Sequence, residues 1–216
     1  NIKNFDEFLI LTDGTNNKSR LGANSTLALS LAFAKALAIY KKKYFFQYLG
    51  DLNNYIMPVP MMNIINGGSH ADNKVDIQEF MIAPIGASSF KESIRYGSEI
   101  FHSLKSKLKQ KGFNTNVGDE GGFAPDINSS NEVIEIIIQS VISTGLKMSE
   151  DIMISLDVAA TEFFTDNRYN LKGENKILNS DQMIEYLKKL SLDYPIYSIE
   201  DGMSEDDWDG WKNLTN

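Results

Sequence analysis

The spacing of apolar and polar residues along the chain predicts alternating strands and helices over its second half. Apolar residues recur every three or four positions from Phe90 to Leu108 and again from Val133 to Leu146, which predicts two amphipathic helices. Strand "IMISLD", helix "SDQMIEYLKKLSL", strand "IYSIED" and the start of a helix at "EDDWDGWKNL" are predicted after them. Strands that alternate with helices are typical of a parallel α/β sheet or barrel.

The first part of the chain has a different pattern. The segment from Ser25 to Tyr40 is rich in Ala and Leu and is apolar on most faces. It therefore predicts a buried helix, with Asn24 or Ser25 as its cap. Lys35 interrupts the apolar run, which is shorter than the about 20 residues that a membrane span needs. The stretch "YKKKYFFQYLGDL" is interpreted as the polar end of this helix and a connection.

A new section begins at "MPVPMMNIINGG", where prolines precede a strand predicted in "MMNII". We place a domain boundary near Met57, which gives domains 1–56 and 57–216. A second strand is predicted in "VDIQEFMIAPIG", and polar and apolar side chains share both of its faces. This mixture is odd for a half-buried strand. A buried, unpaired carboxylate is costly, so Glu79 must either face water or be held by partners.

Composition narrows the classes of function. The chain has 216 residues, no cysteine, two histidines and a formal net charge of −8. Disulfides, thiolate catalysis and His-rich or Cys-based metal sites are therefore excluded, and a bound metal would have to be a hard cation held by carboxylates. The acidic balance disfavours nucleic acid and anionic lipid as partners. The lack of cysteine is compatible with a cytosolic protein.

Two acidic residues end successive predicted strands. Asp157 closes "MISLD" and Glu200 closes "YSIED". The carboxyl end of a buried parallel strand is where (β/α)₈ barrels place active-site ligands. A single acid at such a position is more often the cap of the following loop or helix. Two in succession favour a shared site, because a hard cation draws its carboxylates from separate elements.

Two glycine-rich loops carry further candidates. The loop "NVGDEGGFAPD" places Asp119 and Glu120 among three glycines. Its acids could simply be solvated, or its backbone could lie close to a ligand with one carboxylate aimed inward. The loop "NGGSHADN" carries His70, and a lone histidine in a loop is usually a surface residue.

Five segments, in this order and spacing, closely resemble enolase, the glycolytic phosphopyruvate hydratase, in its bacterial type. They are "LTDGTNNKSRLGANSTLALSLA", "PVPMMNIINGGSHADNKVDIQEFMIAP", "NVGDEGGFAPD", "ISLDVAATEFF" and "SIEDGMSEDDWDGW". The resemblance covers essentially the whole chain. It implies an α/β fold, in which the C-terminal helical part of a small α+β N-terminal domain precedes the first half of an enolase-type (β/α)₈ barrel.

The resemblance also implies an activity, the Mg²⁺-dependent dehydration of 2-phospho-D-glycerate to phosphoenolpyruvate. Asp157 and Glu200 match two of the three carboxylates that the family uses for magnesium. Glu120 matches the acid-side glutamate that assists departure of the hydroxyl, and Glu79 matches its partner. His70 matches a mobile-loop histidine that closes near the substrate phosphate.

The resemblance also implies lesser roles for two other residues. Gln78 is a neighbour of the site, and Asp119 holds the turn that presents Glu120. The family's base lysine, its third metal carboxylate, a second lysine and a phosphate-gripping arginine belong to later barrel strands, beyond residue 216. The chain is therefore expected to be an internal fragment that is inactive alone. A half-barrel with exposed strand edges is also expected to be unstable.

Cytoplasmic localisation and a homodimer or homo-octamer are expected from the resemblance, with no membrane partner and no direct nucleic-acid partner. Three alternatives stay open. The chain could belong to another member of the superfamily that acts on a different acid. It could be a truncated product that does no chemistry, or it could serve a non-catalytic binding or scaffold role.

Overall fold

The computed structural model describes residues 1–50 and 55–216, and the chain divides into two units, Asn1–Ile56 and Met57–Asn216. The first unit contains helices α1 (Ile2–Asp13), α2 (Ala23–Tyr40) and α3 (Phe45–Leu49). The second unit contains, in chain order, β1 (Met62–Asn66), β2 (Glu79–Ala83), α4 (Phe90–Gln110), α5 (Ser130–Ile142), β3 (Met153–Asp157), β4 (Phe164–Thr165), β5 (Arg168–Leu171), β6 (Lys176–Leu178), α6 (Ser180–Asp193), β7 (Ile196–Glu200) and α7 (Trp208–Thr215).

Helix α1 was not predicted from the sequence. The side chain of Asn1 accepts a hydrogen bond from the backbone N–H of Asn4 and so caps its start. The helix ends at Gly14, whose φ of 73° is left-handed and suits glycine. Rings of Phe5 on α1 and Phe33 on α2 stack with centroids 4.2 Å apart, which fixes the two helices against each other.

Helix α2 differs from its prediction in two respects. It begins at Ala23 after Gly22, so neither Asn24 nor Ser25 is its cap. Only Ala34 and Ala38 are buried on it, because its apolar residues lie on most faces while α1 and α3 pack against one side. Within the described ranges, α2 is the one helix that is long and apolar enough to cross a membrane. Core helices of soluble proteins often have the same length and composition.

The stretch "YKKKYFFQYLGDL" contains a short helix, α3, where a polar helix end and a connection were predicted. The part of the predicted connection that falls on residues 51 and 52 lies outside the described residues. Tyr44 precedes the helix, and its backbone N–H donates to the side chain of Gln47, 3.1 Å away. The first unit thus consists of helices in the ranges that the structure describes.

The main sheet of the second unit has the strand order β1-β2-β3-β7. Strands β3 and β7 are parallel, as the alternating pattern predicted, since α6 provides the crossover between them. Strand β2, however, pairs antiparallel with both β1 and β3. A loop joins β1 to β2 without a crossover helix, and such a connection returns the chain in the opposite direction.

Strand β2 is buried along its whole length, which explains its mixed pattern. It begins at Glu79, so the predicted strand from Val75 was too long. Phe80 and Ile82 pair with Leu156 and Ile154 of β3, and all four lie in the hydrophobic core with residues of α4 and α5. Glu79 and Met81 alternate with them and therefore face the opposite side of the sheet.

Helices α4 and α5 were predicted and pack against each other, although α5 ends at Ile142, before the predicted Leu146. Serine side chains cap both helices, Ser89 for α4 and Ser129 for α5. Ile100, Leu104 and Leu108 of α4 are fully buried, in agreement with the apolar spacing. The two helices cover one face of the main sheet and leave the opposite face, with Glu79, for other contacts.

A second sheet, with the order β4-β5-β6, was not predicted. Asp166 and Asn167 form its first turn with φ of 52° and 58°, the left-handed pair that a two-residue hairpin requires. The fully buried Tyr169 of β5 donates its hydroxyl proton to Asp207, 2.7 Å away, and accepts from the backbone N–H of Ser204, 3.0 Å away. This sheet therefore holds the connection between β7 and α7.

Replacing Tyr169 by Phe should lower the free energy of unfolding by about 1 to 3 kcal/mol, because the buried N–H of Ser204 would lose its acceptor. Urea denaturation measures this loss. Tyr197→Phe is the matched control, since Tyr197 is 62% exposed, and it should change stability by less than about 0.5 kcal/mol. Equal losses in the two variants would contradict the role of the buried hydroxyl.

Candidate active site

Four polar residues stand level with one another across the main sheet. Asn66 of β1 pairs with Glu79 of β2, Glu79 pairs with Asp157 of β3, and Asp157 pairs with Glu200 of β7. Directly paired residues on neighbouring strands project to the same face of a sheet. The carboxyl ends of β1, β3 and β7 and the start of β2 therefore form one polar edge, which we call the acidic row.

Glu79 is the most buried acid of this row, with 8% of its surface exposed. Burial raises its pKa to about 7, helped by a hydrogen bond with Glu120 and by the negative charges of Glu120, Asp157 and Glu200. The Nδ1 atom of His70 lies 3.3 Å from its Oε1 atom. The sequence required partners for a buried Glu79, and the structure places His70 and Glu120 beside it, although the Nδ1 atom of His70 makes no hydrogen bond in the described residues.

The loop that carries Glu120 lies directly on strand β1. The N–H of Phe123 donates to the carbonyl oxygen of Ile64, and the N–H of Asn66 donates to that of Phe123, each at 2.9 Å. A Cβ atom on Gly122 would overlap the side-chain oxygen of Asn66, so this close approach requires glycine. The structure therefore holds the loop backbone against β1, and it places Glu120, which is exposed, with a carboxylate oxygen within 4.8 Å of Glu79.

His70 follows a tight turn at the end of β1. The N–H of Gly67 donates to the carbonyl oxygen of Gln78, and the N–H of Gly68 donates to that of Val75, both at 2.8 Å. The N–H of Asp119 in turn approaches the carbonyl oxygen of His70 at 3.3 Å. The two glycine-rich loops thus contact each other, and one ligand atom from each of His70, Glu79 and Glu120 lies within 4.8 Å of the others.

Asp157 both caps its loop and faces the acidic row. Its Oδ1 atom accepts from the N–H of Ala159 at 3.1 Å, and its Oδ2 atom accepts from the side-chain amide of Gln78 at 3.2 Å. Burial raises its pKa above the usual range. The structure therefore combines the two interpretations that the sequence left open, a cap and a site residue.

Glu200 is exposed at the end of β7, and the backbone after it is tied to β3. The N–H of Val158 donates to the carbonyl oxygen of Glu200, and the N–H of Ala160 donates to that of Asp201, both at 3.0 Å. Asp201 has a left-handed φ of 46°, a conformation that costs a non-glycine residue free energy and clusters at functional sites. These contacts hold Glu200 in register with Asp157.

Asn66 was missed by the sequence analysis. It is fully buried, and neither atom of its side-chain amide has a hydrogen-bond partner within residues 1–50 and 55–216. A signal was present, since Asn66 follows "MNII" as Asp157 follows "MISL", a polar residue at the end of an apolar strand. Asn66 differs from Asp157 and Glu200 in being an uncharged amide rather than an acid.

The acidic row has the donors that a hard cation needs. Asp157 and Glu200 offer carboxylate oxygens from adjacent strand ends, and oxygen is the ligand that Mg²⁺ prefers. The cluster of His70, Glu79 and Glu120 is a poorer match, because one of its ligands is an imidazole nitrogen. The charges that raise the pKa of Glu79 also show that negative charge is concentrated at this edge, where a cation would be attracted.

The raised pKa of Glu79 predicts a pH-dependent stability. Between its ordinary pKa of 4.5 and about 7, the folded state keeps a proton that the unfolded state has released. The free energy of unfolding should therefore fall as the pH rises through this window.

Glu79→Gln should remove this fall and flatten the profile by about 1 to 3 kcal/mol, as measured by urea denaturation at a series of pH values in EDTA. Glu205→Gln, at an exposed position, is the matched control and should keep the wild-type slope. A Glu79→Gln profile that is parallel to the wild-type profile would contradict the assignment.

Comparison with known protein families matches both units of the chain. The family described as "Enolase, N-terminal domain" matches residues 1–49, and the family described as "Enolase, C-terminal TIM barrel domain" matches residues 54–216. The fold class predicted from the sequence is confirmed by these matches. Because the second match alone spans well over half of the 216 residues, the chain belongs to the enolase family.

Proposed function

We propose that the chain carries part of the active site of a hydro-lyase of glycolysis, an enolase that reversibly dehydrates 2-phospho-D-glycerate to phosphoenolpyruvate with Mg²⁺. The observation that supports this most directly is the position of Glu79 and Glu120, with one carboxylate oxygen of each within 4.8 Å of the other, beside Asp157 and Glu200. It combines a carboxylate pair that can hold a proton with oxygen ligands for a divalent cation.

The carboxylate pair fits the departure of a hydroxyl group. A hydroxyl leaves far more easily as water, so an acid must hold a proton beside it. With a pKa of about 7, Glu79 is protonated in a large fraction of molecules near neutral pH, and it shares a hydrogen bond with Glu120. We assign Glu120 as the residue that faces the leaving hydroxyl and Glu79 as its proton-sharing partner.

His70 lies at the side of this pair, and its Nδ1 atom is turned toward Glu79. Its Nε2 atom is then available for an oxygen of the substrate phosphate. The glycine-rich turn at Gly67 and Gly68 carries it, and we propose that this loop closes over the bound substrate phosphate. His70 and Glu79 are therefore proposed as substrate-binding residues as well.

Asp157 and Glu200 are proposed as two ligands of Mg²⁺, with Gln78 orienting Asp157 through its side-chain amide. Asp157 and Glu200 would hold Mg²⁺ at this edge, where it would supply Lewis-acid stabilisation of negative charge on the substrate carboxylate. The chain's own contribution is to hold these two carboxylates level with the acid pair.

The remaining parts of the reaction need residues that the family places in later barrel strands. We propose that the chain is an internal part of a longer enolase of the bacterial type, and that the base lysine and the third metal carboxylate lie beyond residue 216. The chain of 216 residues is then inactive alone.

The proposed setting of the longer enolase is cytoplasmic and homo-oligomeric, either a dimer or an octamer, without a membrane or a direct nucleic-acid partner. A net charge of −8 supports the absence of nucleic-acid and anionic-lipid partners. Helix α2 lies inside the matched N-terminal domain, which supports its interpretation as a helix of that domain.

Glu120→Gln in the full-length protein should lower kcat by about 10²- to 10⁴-fold with little change in KM, because the side chain keeps its size but cannot supply a proton. Phosphoenolpyruvate formation, followed by its ultraviolet absorbance, measures this. Asp126→Asn is the matched control and should keep wild-type turnover, since Asp126 is an exposed acid in the same loop. The proposal fails if Glu120→Gln retains wild-type turnover.

Asp157→Asn and Glu200→Gln should each weaken Mg²⁺ binding by at least about tenfold in the full-length protein, since each removes one anionic oxygen ligand. Isothermal titration calorimetry with the metal alone measures the change. Glu205→Gln removes an exposed acid near Glu200 and serves as the control. Unchanged affinity in both site variants would rule out this pair as ligands.

A further inference from the structure

Asp76 is a half-buried acid that has no role in the proposed reaction. It lies in the loop between β1 and β2, two residues before Gln78. Its Oδ1 atom accepts from the N–H of Gly173 at 3.0 Å, and its Oδ2 atom accepts from the N–H of Glu174 at 3.1 Å. Both donors belong to the turn between β5 and β6, which is almost a hundred residues away along the chain.

This turn is itself anchored to two helices. The Oε1 atom of Glu174 accepts from the N–H of Ser130, at the start of α5, at 3.0 Å and from the hydroxyl of Tyr186, on α6, at 2.8 Å. Its Oε2 atom pairs with Lys176 at 2.6 Å. The turn therefore offers Asp76 a fixed point of attachment.

The backbone of the turn lies directly against the backbone of the β1–β2 loop. A Cβ atom on Gly173 would overlap the carbonyl group of Lys74, so no side chain separates the two segments. A displacement of the turn would therefore pass directly to Lys74 and Asp76, since packed backbone cannot absorb it as a flexible side chain could.

The segment around Asp76 is also the support of the His70 loop. The N–H groups of Gly68 and Gly67 donate to the carbonyl oxygens of Val75 and Gln78, which lie on either side of Asp76. A Cβ atom on Gly67 would lie 2.5 Å from the carbonyl oxygen of Val75, so this contact, like the closer one at Gly173, leaves no room for a side chain. Gln78 and Glu79 follow immediately along the chain.

We infer that Asp76 is a positioning residue that holds the loop carrying His70 and Gln78, which leads into Glu79 of β2, against the β5–β6 turn. It touches neither substrate nor metal, and its effect on the reaction rests on the proposed function. The contrary possibility is that Asp76 only fastens the β4–β6 sheet to the protein. The two possibilities differ in one expectation: only if Asp76 is a positioning residue does its loss disturb the hydrogen bonds of Gly67 and Gly68.

Amide hydrogen exchange, followed by NMR or mass spectrometry on the full-length protein, distinguishes them without any measurement of activity. In Asp76→Ala, exchange at Gly67 and Gly68 should become at least tenfold faster, together with that at Gly173 and Glu174. Faster exchange at the β5–β6 turn alone would overturn the inference.

Asp126→Ala is the matched control for this measurement. Asp126 forms an exposed ion pair with Lys74, with a nitrogen–oxygen distance of 3.4 Å. The substitution therefore removes an acid close to Asp76 along the structure but leaves the β5–β6 turn untouched. It should leave all four exchange rates within twofold of the wild type. If Asp76→Ala does not fold, Asp76→Asn, which keeps one acceptor oxygen, is measured in its place.

A kinetic comparison adds a readout that a loss of stability alone does not change. Asp76→Asn should lower kcat at least tenfold at a temperature where the protein is fully folded. Leu108→Val, a substitution in the buried core of α4, also lowers stability and should keep kcat within threefold. Equal kcat values in the two variants would overturn the inference.

A wild-type protein without turnover would instead refute the proposed function, and hydrogen exchange would still decide the role of Asp76.

Discussion

The register of the four-stranded sheet is the constraint on which the site depends. Strand β2 runs antiparallel between β1 and β3, so its first residue, Glu79, stands level with the last residues of its neighbours. A slip of one residue would turn Glu79 into the core and bring Phe80 to the acidic row. The apolar partners Phe80 and Leu156, both fully buried, fix the register because such a slip would expose them. Core packing therefore determines where the acids meet.

Once the acids meet, their mutual repulsion and burial shape the chemistry of the site. Glu79 keeps its proton to about pH 7 because water is largely excluded and three other acids act on it. Glycine allows the loop of Glu120 to approach β1 more closely than any side chain would permit. Negative charge is concentrated at the same edge, so one arrangement would serve both the proposed proton transfer and the proposed metal binding. The β4–β6 sheet supports this edge from the outside through Tyr169 and Asp76.

Local patterns in the sequence predicted much of the fold and two of the candidate residues, whereas the roles of His70, Glu79 and Glu120 came from the resemblance to enolase. Helices α4, α5 and α6 and strands β3 and β7 follow from apolar spacing, and Asp157 and Glu200 follow from their places at strand ends. The antiparallel direction of β2, the β4–β6 sheet and the place of Asn66 depend on pairing between distant segments, which local spacing does not encode. The burial predicted for α2 was wrong because an apolar composition does not state which faces find a partner.

A crystal structure of the full-length protein with Mg²⁺ and 2-phospho-D-glycerate tests the central claim most directly. An ion should lie about 2.0 to 2.1 Å from carboxylate oxygens of Asp157 and Glu200. Glu79 and Glu120 should then face the hydroxyl group of the substrate rather than the metal. An ion bound instead among His70, Glu79 and Glu120, with Asp157 and Glu200 making no contact to it, would contradict the assignment of the acidic row.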